Sequence, residues 1–176
     1  TGDEIIPPGA PLLVGQIYDS NSRIVADAVR EAGGQAEFLG IIPDDEEKIE
    51  ACLRAVLTRK DNPIDILVLS GGTSKRAGDL NAAVIEKLAQ SLPNSQGIVV
   101  HGVALKPGKP LCLAGLAGKA VTILPGFPTS AIFTFHEFIA PLVRTLSGRP
   151  KTDHASQIDA ILPLKLPSIV GRTQYS

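Results

Sequence analysis

Apolar positions along the chain switch between two spacings. In NSRIVADAVREAGG, residues 21–34, Ile24, Val25, Ala28, Val29 and Ala32 recur at helical intervals. Asp19, Ser20 or Asn21 can cap the start of that helix, and Gly33 or Gly34 can end it. AEFLGII, residues 36–42, predicts a strand. PDDEEKIEACLRAVLTR predicts a second helix with acidic residues 44–47 crowding its first turn, where the helix dipole favours anions. Ile49, Cys52, Leu53, Val56 and Leu57 form its apolar stripe. IDILVLS, residues 64–70, is almost continuously apolar, the pattern of a central parallel strand covered on both faces. A third helix is predicted over LNAAVIEKLAQSL, then strands over 97–105, 110–116 and 119–124. A long helix, AIFTFHEFIAPLVRTLSG, closes at Gly148. The first twenty residues, rich in Pro and Gly, read as loop.

Strands alternating with helices predict an α/β fold with three αβα layers and a mostly parallel sheet over residues 1–148. The stretch after it changes character: IDAILPLKLP alternates and carries prolines. Residues 149–176 therefore read as a linker and the first strands of a β-rich domain. A chain of 176 residues that opens on Thr1 and contains no Met is expected to be a fragment.

Composition narrows the function. With 44% hydrophobic and 20% charged residues and a net charge of −1, the chain has no electrostatic footprint for nucleic acid or an anionic membrane. No apolar run approaches the ~20 residues of a membrane helix, and no signal peptide opens the chain. Cys52 and Cys112 have neither metal-ligand nor disulfide-framework spacing, which makes a reducing cytoplasm the default.

Candidate chemistry lies in three loops. SGGTSKRAGD follows a buried strand and opens a helix. Its glycines, Gly71 and Gly72, let backbone approach a ligand, and Thr73 and Ser74 can donate hydrogen bonds. Asp79 can cap the helix or hold a cation. The competing reading is a glycine turn plus a cap, and the loop lacks the GKS or GKT of a P-loop. LPGFPTS also joins a strand to a helix, with Pro125 and Pro128 stiffening it, Gly126 freeing one point, and Thr129 or Ser130 as cap. KPGKP sets Lys106 and Lys109 in one proline-stiffened turn, where two cations repel unless solvent or an anion offsets them. An exposed hairpin tip is the alternative. His101, His136 and Cys112 read as structural residues, and His154 falls in the predicted linker.

TGDEI, GQIYDSN, GIIPDD, SGGTS with Asp79, HGVALKPGKP, LPGFPTSA and GRTQY occur in this order through most of the chain. In this the sequence resembles the molybdopterin molybdenumtransferase family, the MoeA-type proteins and the corresponding domain of gephyrin. The resemblance implies a molybdopterin-binding domain over residues 1–148 and the first strands of a C-terminal β-domain after it. It implies insertion of molybdate into adenylylated molybdopterin, giving molybdenum cofactor and AMP, with Mg2+ assisting, by a homo-oligomer, a dimer being favoured. Lys106, Lys109, Pro110 and Ser130 match family positions around molybdate, and Arg172 matches an arginine from the β-domain. Ser74 and Asp79 match the nucleotide and metal side, and Asp3 lies in a motif near the cofactor crevice. By the same resemblance Lys106, Lys109 and Asp79 take catalytic roles, and Gly71, Gly72, Thr73, Pro125 and Gly126 line the ligand. Two departures stand out: Ala77 replaces an acidic residue, with Arg76 before it, and Phe127 replaces an asparagine. A molybdopterin- or molybdate-sensing module is the alternative. A CinA-type pyrophosphatase or deamidase, whose relatives lack the KPGKP and PGxP pair, is a more distant one.

Overall fold

A computed structural model of the chain describes residues 1–71, 77–150, 159, 161, 163 and 170–175, with residues 77–79 described by backbone alone. In chain order the elements are β1 (Ile5–Ile6), β2 (Ile17–Tyr18), α1 (Asn21–Glu31), α2 (Glu46–Thr58), β3 (Ile66–Ser70), α3 (Ala77–Ser91) and β4 (Gly97–His101). Then follow β5 (Leu105–Lys106), β6 (Cys112–Leu116), β7 (Lys119–Leu124), α4 (Pro128–Thr134), a π turn (Phe135–Ile139), α5 (Ala140–Leu146) and β8 (Thr173–Gln174).

The main sheet runs in the order β3-β7-β6-β4. β3 and β7 are parallel, from Ile66 opposite Ala120 to Ser70 opposite Leu124. The β4–β6 and β6–β7 pairs are antiparallel. Two further pairs, β1–β2 and β5–β8, are parallel, so parallel pairing prevails among the described strands. The sheet separates two cores. α2 and α3 bury Ile49, Leu53, Val84, Ile85 and Leu88 with Leu67, Leu69, Val121 and Ile123 on one face. α1, α4, the π turn and α5 bury Val25, Ala28, Phe135, Ile139 and Val143 with Leu111 and Leu124 on the other. Alternate β3 side chains serve opposite cores: Leu67 and Leu69 the first, Ile66 and Val68 the second. This is the three-layer α/β architecture that the hydrophobic pattern predicts.

The helix ends follow local chemistry. Asp19 Oδ1 accepts the Ser22 N–H at 3.0 Å at the start of α1, and Gly33, at φ +96°, helps close its end. Asp45 caps α2 by accepting the Lys48 N–H at 3.0 Å.

Several expectations are corrected. The first twenty residues are more than loop: Ile5–Ile6 and Ile17–Tyr18 pair across a Pro/Gly excursion pinned by a hydrogen bond from the Tyr18 hydroxyl to the Ala10 carbonyl at 2.9 Å. Residues 36–42 form no strand, because no neighbouring strand offers them a ladder, and Phe38 is 63% exposed. β3, with its central-strand sequence, lies at the edge of the sheet. The helix after LPGF begins at Pro128, whose fixed φ and missing N–H suit the first helical position, so Phe127 rather than Thr129 or Ser130 is the cap. That helix is interrupted. Pro141 has no N–H to return to the preceding turn, and Ala140 donates to the Phe135 carbonyl across a π turn. Most of 149–176, including seven of the ten residues of IDAILPLKLP, lies outside the described residues.

Phe135 is fully buried in the second core. Phe135→Ala is expected to lower unfolding free energy by about 3–5 kcal/mol, read from urea denaturation, whereas Thr145→Ala on the exposed face of α5 should leave the midpoint nearly unchanged.

Candidate functional site

The parallel pairing of β3 and β7 ends with Ser70 opposite Leu124, so the loops that leave the two strands start side by side. Ligands of open α/β sheets bind outside such carboxyl ends. The Gly71 N–H donates to the Leu124 carbonyl at 3.3 Å. The two loops touch through glycines: a Cβ on Gly126 would meet Gly71 Cα at 3.5 Å, and one on Gly71, at φ +94°, would come within 2.5 Å of the Thr1 carbonyl oxygen. Any side chain at Gly71 would have to push backbone aside.

An amide joins the loops. Asn21, the first residue of α1, donates from Nδ2 to Ser70 Oγ at 2.7 Å and to the Gly126 carbonyl at 2.8 Å. A second amide stands behind it. Asn81, 1% exposed on α3, donates to Thr1 Oγ1 at 2.9 Å and to the Gly71 carbonyl at 3.5 Å. The Oδ1 atoms of Asn21 and Asn81 are both buried and have no partner among the described residues. Each is an acceptor left for a donor outside the described set. These loops close one end of a groove of about 1330 Å3, lined there by Thr1, Asn21, Ser70, Gly71, Pro110, Gly126 and Phe127.

The KPGKP turn reaches this end through Pro110. It is a packed turn rather than a free hairpin tip. Val103 N–H donates to the Lys109 carbonyl at 2.9 Å and Leu111 N–H to the Gly108 carbonyl at 3.2 Å. Gly108, at φ +123°, lies so close to Thr134 that a Cβ there would collide with its methyl and crowd Leu105. The Lys106–Pro107 peptide is cis. The turn is thus fixed from below while both lysine side chains stay exposed. β8 lies parallel to β5, with Thr173 opposite Leu105 and Gln174 opposite Lys106, so a strand from far along the sequence flanks the start of the lysine turn, with Arg172 just before it. Tyr175 anchors this strand: its N–H donates to the Lys106 carbonyl at 3.0 Å, its ring stacks on Phe133 at 5.0 Å, and its hydroxyl donates to Glu137.

Among the expected site residues, Gly71, Pro110 and Gly126 meet at the groove, with Pro125 buried behind Gly126. Lys106, Lys109 and Arg172 are exposed nearby and do not line it. Ser130 is half-buried in the first turn of α4, where Phe127 rather than Ser130 is the cap. Asp3 is turned to other work: its Oδ1 accepts the Asp44 N–H at 3.0 Å. Gly72, Thr73 and Ser74 lie outside the described residues, as does the Asp79 side chain, although its backbone belongs to α3. The described residues contain no cluster of three His, Cys, Asp or Glu able to hold a metal. On their own they make no magnesium site, and the Asp79 side chain lies outside them. Burial, with a smaller contribution from Glu86, pushes the Cys112 thiol up to about 11, in keeping with an inert cysteine. No helix among the described residues is long and apolar enough to cross a membrane.

Asn21 and Asn81 are the residues that sequence reasoning missed as parts of the site. Asn21 entered only as a possible cap. The available signal for Asn81 was a lone amide on the apolar face of LNAAVIEKLAQ.

This arrangement defines an α/β protein with a ligand crevice built from strand-to-helix loops. The family model described as "Probable molybdopterin binding domain" matches residues 1–145, and the chain belongs to that family. It is 33% identical over 175 residues to the molybdopterin molybdenumtransferase of Haemophilus influenzae, covering 99% of this chain and 41% of the relative. It is 34% identical to molybdopterin molybdenumtransferase 2 of Mycobacterium tuberculosis, covering 99% and 42% respectively. Among solved structures, the molybdopterin biosynthesis moeA protein from Pyrococcus horikosii superposes with a TM-score of 0.70 at 40% identity, over 84% of this chain and 34% of that one. The chain thus spans about two fifths of the length of these curated relatives.

Two outcomes test the site. Asn21→Ala removes both bridging hydrogen bonds and is expected to cost about 1–3 kcal/mol and to speed amide exchange at Gly71, while Gln90→Ala, on the exposed face of α3 and outside the groove lining, should not affect Gly71. The second concerns Asp44, whose carboxyl is raised by burial and by the Asp3 and Glu4 carboxylates, partly offset by the Thr1 ammonium. A raised folded-state carboxyl costs stability above its unfolded value of ~3.9, and that cost is absent below it. Asp44→Asn should therefore raise the denaturation midpoint at neutral pH and lose the advantage below about pH 4.

Proposed function

We propose that this chain is the molybdopterin-binding part of a molybdenum insertase. The whole protein transfers molybdate into adenylylated molybdopterin and releases AMP. Residues 1–148 make the binding domain, and residues 149–176 lead into a β-rich domain. The observation that carries this reading is the KPGKP turn: two exposed lysines on a backbone fixed by packing, next to the glycine-rich ends of β3 and β7.

The ligand is polyanionic, with a pyrophosphate, and molybdate is a dianion. Lys106 and Lys109 provide positive charge for the oxyanion, and Arg172, which leads into the β8 strand paired with β5, adds a fork suited to a tetrahedral anion. Because the turn is already rigid, little reorganisation is needed when charge develops as an oxygen nucleophile, water or molybdate, attacks the pterin phosphate and displaces AMP with its own phosphate. Ser130, free of capping duty, can donate to the same anion. Gly71 and Gly126 let the main chain approach the phosphates closely. The buried acceptors on Asn21 and Asn81 suit N–H or O–H groups of the pterin or nucleotide. Asp79 is the residue that would meet a magnesium ion on the nucleotide side.

In the full-length protein, Lys106→Ala with Lys109→Ala is expected to lower molybdate-dependent AMP release by ~10²–10³-fold, with part of it kept by the double Arg variant. Unchanged AMP release in the double Ala variant would remove the assigned role. Tight ligand binding by the intact wild-type protein without any AMP release would instead favour a sensing module.

A further inference from the structure

An adenylylated pterin carries two planar heterocycles joined through a pyrophosphate. Lysines and glycine loops suit the phosphates, whereas a planar ring leaving water is stabilised by an apolar face to lie on. Phe127 offers such a face. It lines the ligand end of the groove beside Gly126 and is 79% exposed, the most exposed phenylalanine among the described residues. Phe133 stacks on Tyr175 and Phe135 meets His136 edge-on, but no ring contact engages Phe127 among the described residues. A single apolar side chain on a surface is ordinary. What sets this one apart is its place in the crevice and the backbone beneath it.

The peptide before Phe127 is held through the Gly126 carbonyl, which accepts from Asn21 Nδ2 at 2.8 Å. The peptide after it is held through the Phe127 carbonyl, which accepts the Ala131 N–H at 2.9 Å at the start of α4. Pro125 and Pro128 restrict the chain on either side. Phe127 itself has φ −70° and ψ 128°, an unstrained extended backbone. The direction of its Cα–Cβ bond is therefore set before a ligand arrives. Only the two torsions of the ring remain to be ordered, a small cost on binding. The Asn21 amide that grips Gly126 keeps a buried Oδ1 as an acceptor. A face for a ring and an acceptor for an N–H at its edge thus both connect to Gly126.

We propose that Phe127 is a stacking platform for a planar fused heterocycle, the pterin or the adenine of the bound nucleotide. The platform rests on the pterin-nucleotide reading of the crevice, and it supplies what holds the rings. Stacking uses the face of a ring and is indifferent to the hydrogen-bond pattern at its edge, so Phe127 contributes affinity while the amide acceptors discriminate. Lys106 and Lys109 act through charge, which salt screens, and Phe127 does not. Loss of the ring therefore weakens binding about equally at low and high salt, and loss of the lysines matters most at low salt.

The test uses the full-length protein and compares wild type with Phe127→Ala, Phe127→Leu and Phe127→Tyr. The probes are adenylylated molybdopterin, molybdopterin without the nucleotide, AMP, and molybdate. Phe127→Ala is expected to weaken binding of adenylylated molybdopterin roughly 5–100-fold, with the same ratio at low and high salt, and to remove the hypochromic change in ligand absorbance on binding. Phe127→Tyr should bind as wild type does, and Phe127→Leu, apolar but without a ring, should fall closer to the Ala form. Molybdate affinity should be the same in all four proteins. A loss repeated with free molybdopterin assigns the platform to the pterin, and a loss repeated with AMP assigns it to the adenine. Wild-type affinity in Phe127→Ala, with binding still lost in the double lysine variant, would overturn the platform and leave the proposed function standing. Failure of the wild-type protein to bind adenylylated molybdopterin would overturn both. Equal losses in the Ala and Tyr forms, or a changed assembly mass in solution, would overturn the platform by assigning Phe127 to packing or to a subunit contact.

Discussion

Five parallel register pairs between β3 and β7 hold the candidate site together. They set Ser70 beside Leu124, and from that rung each chain must turn into its own loop over the same end of the sheet. The loops then meet at Gly71 and Gly126 with no room for a side chain at Gly71. Asn21 crosses the seam from a third element and ties Ser70 to Gly126. The hairpin of β6 and β7 continues the same frame. It seats Leu111 in the second core and brings the preceding turn, with Lys106 and Lys109, to the rim. Binding chemistry at the rim therefore rests on packing several residues beneath it.

The lysine turn illustrates how packing and electrostatics divide the work. Two neighbouring cations are unfavourable in any flexible loop, and flexibility would let them separate. Here Gly108 is pressed against Thr134 and Leu105, and the backbone closes on itself through Val103 and Leu111. The side chains stay in solvent, where their charge is easily hydrated until an anion arrives. Arg172 comes from a strand held by the Tyr175 ring on Phe133, so positive charge at the rim gathers from two distant parts of the chain.

Much of this is legible in the sequence because it rests on local rules. Helical spacing finds α1 and α2, and continuous apolarity finds β3 and β7. The glycine and proline loops fall where strands meet helices, and the KPGKP and LPGFPTSA motifs carry the family. What is not legible depends on partners far along the chain. Nothing near Asn21 reveals that its amide reaches Ser70 and Gly126, and nothing near Gln174 reveals its neighbour at Lys106. The 36–42 segment has strand-like residues, but a strand requires a ladder partner, and the described chain offers none. Pro128 looks like a loop stiffener until its missing N–H is recognised as suited to the first helical turn. That shift in the helix start is what frees Ser130.

The central claim is that the β3 and β7 loops and the lysine turn form one crevice for a pterin nucleotide anion. Titrating isotope-labelled protein with adenylylated molybdopterin and following backbone amide shifts tests it most directly. The account predicts saturable shifts at Gly71, Gly126, Lys106 and Lys109 together, with one common affinity that weakens as salt rises. Shifts at the lysine turn without the glycine loops, or a saturating response confined to another surface, would contradict it.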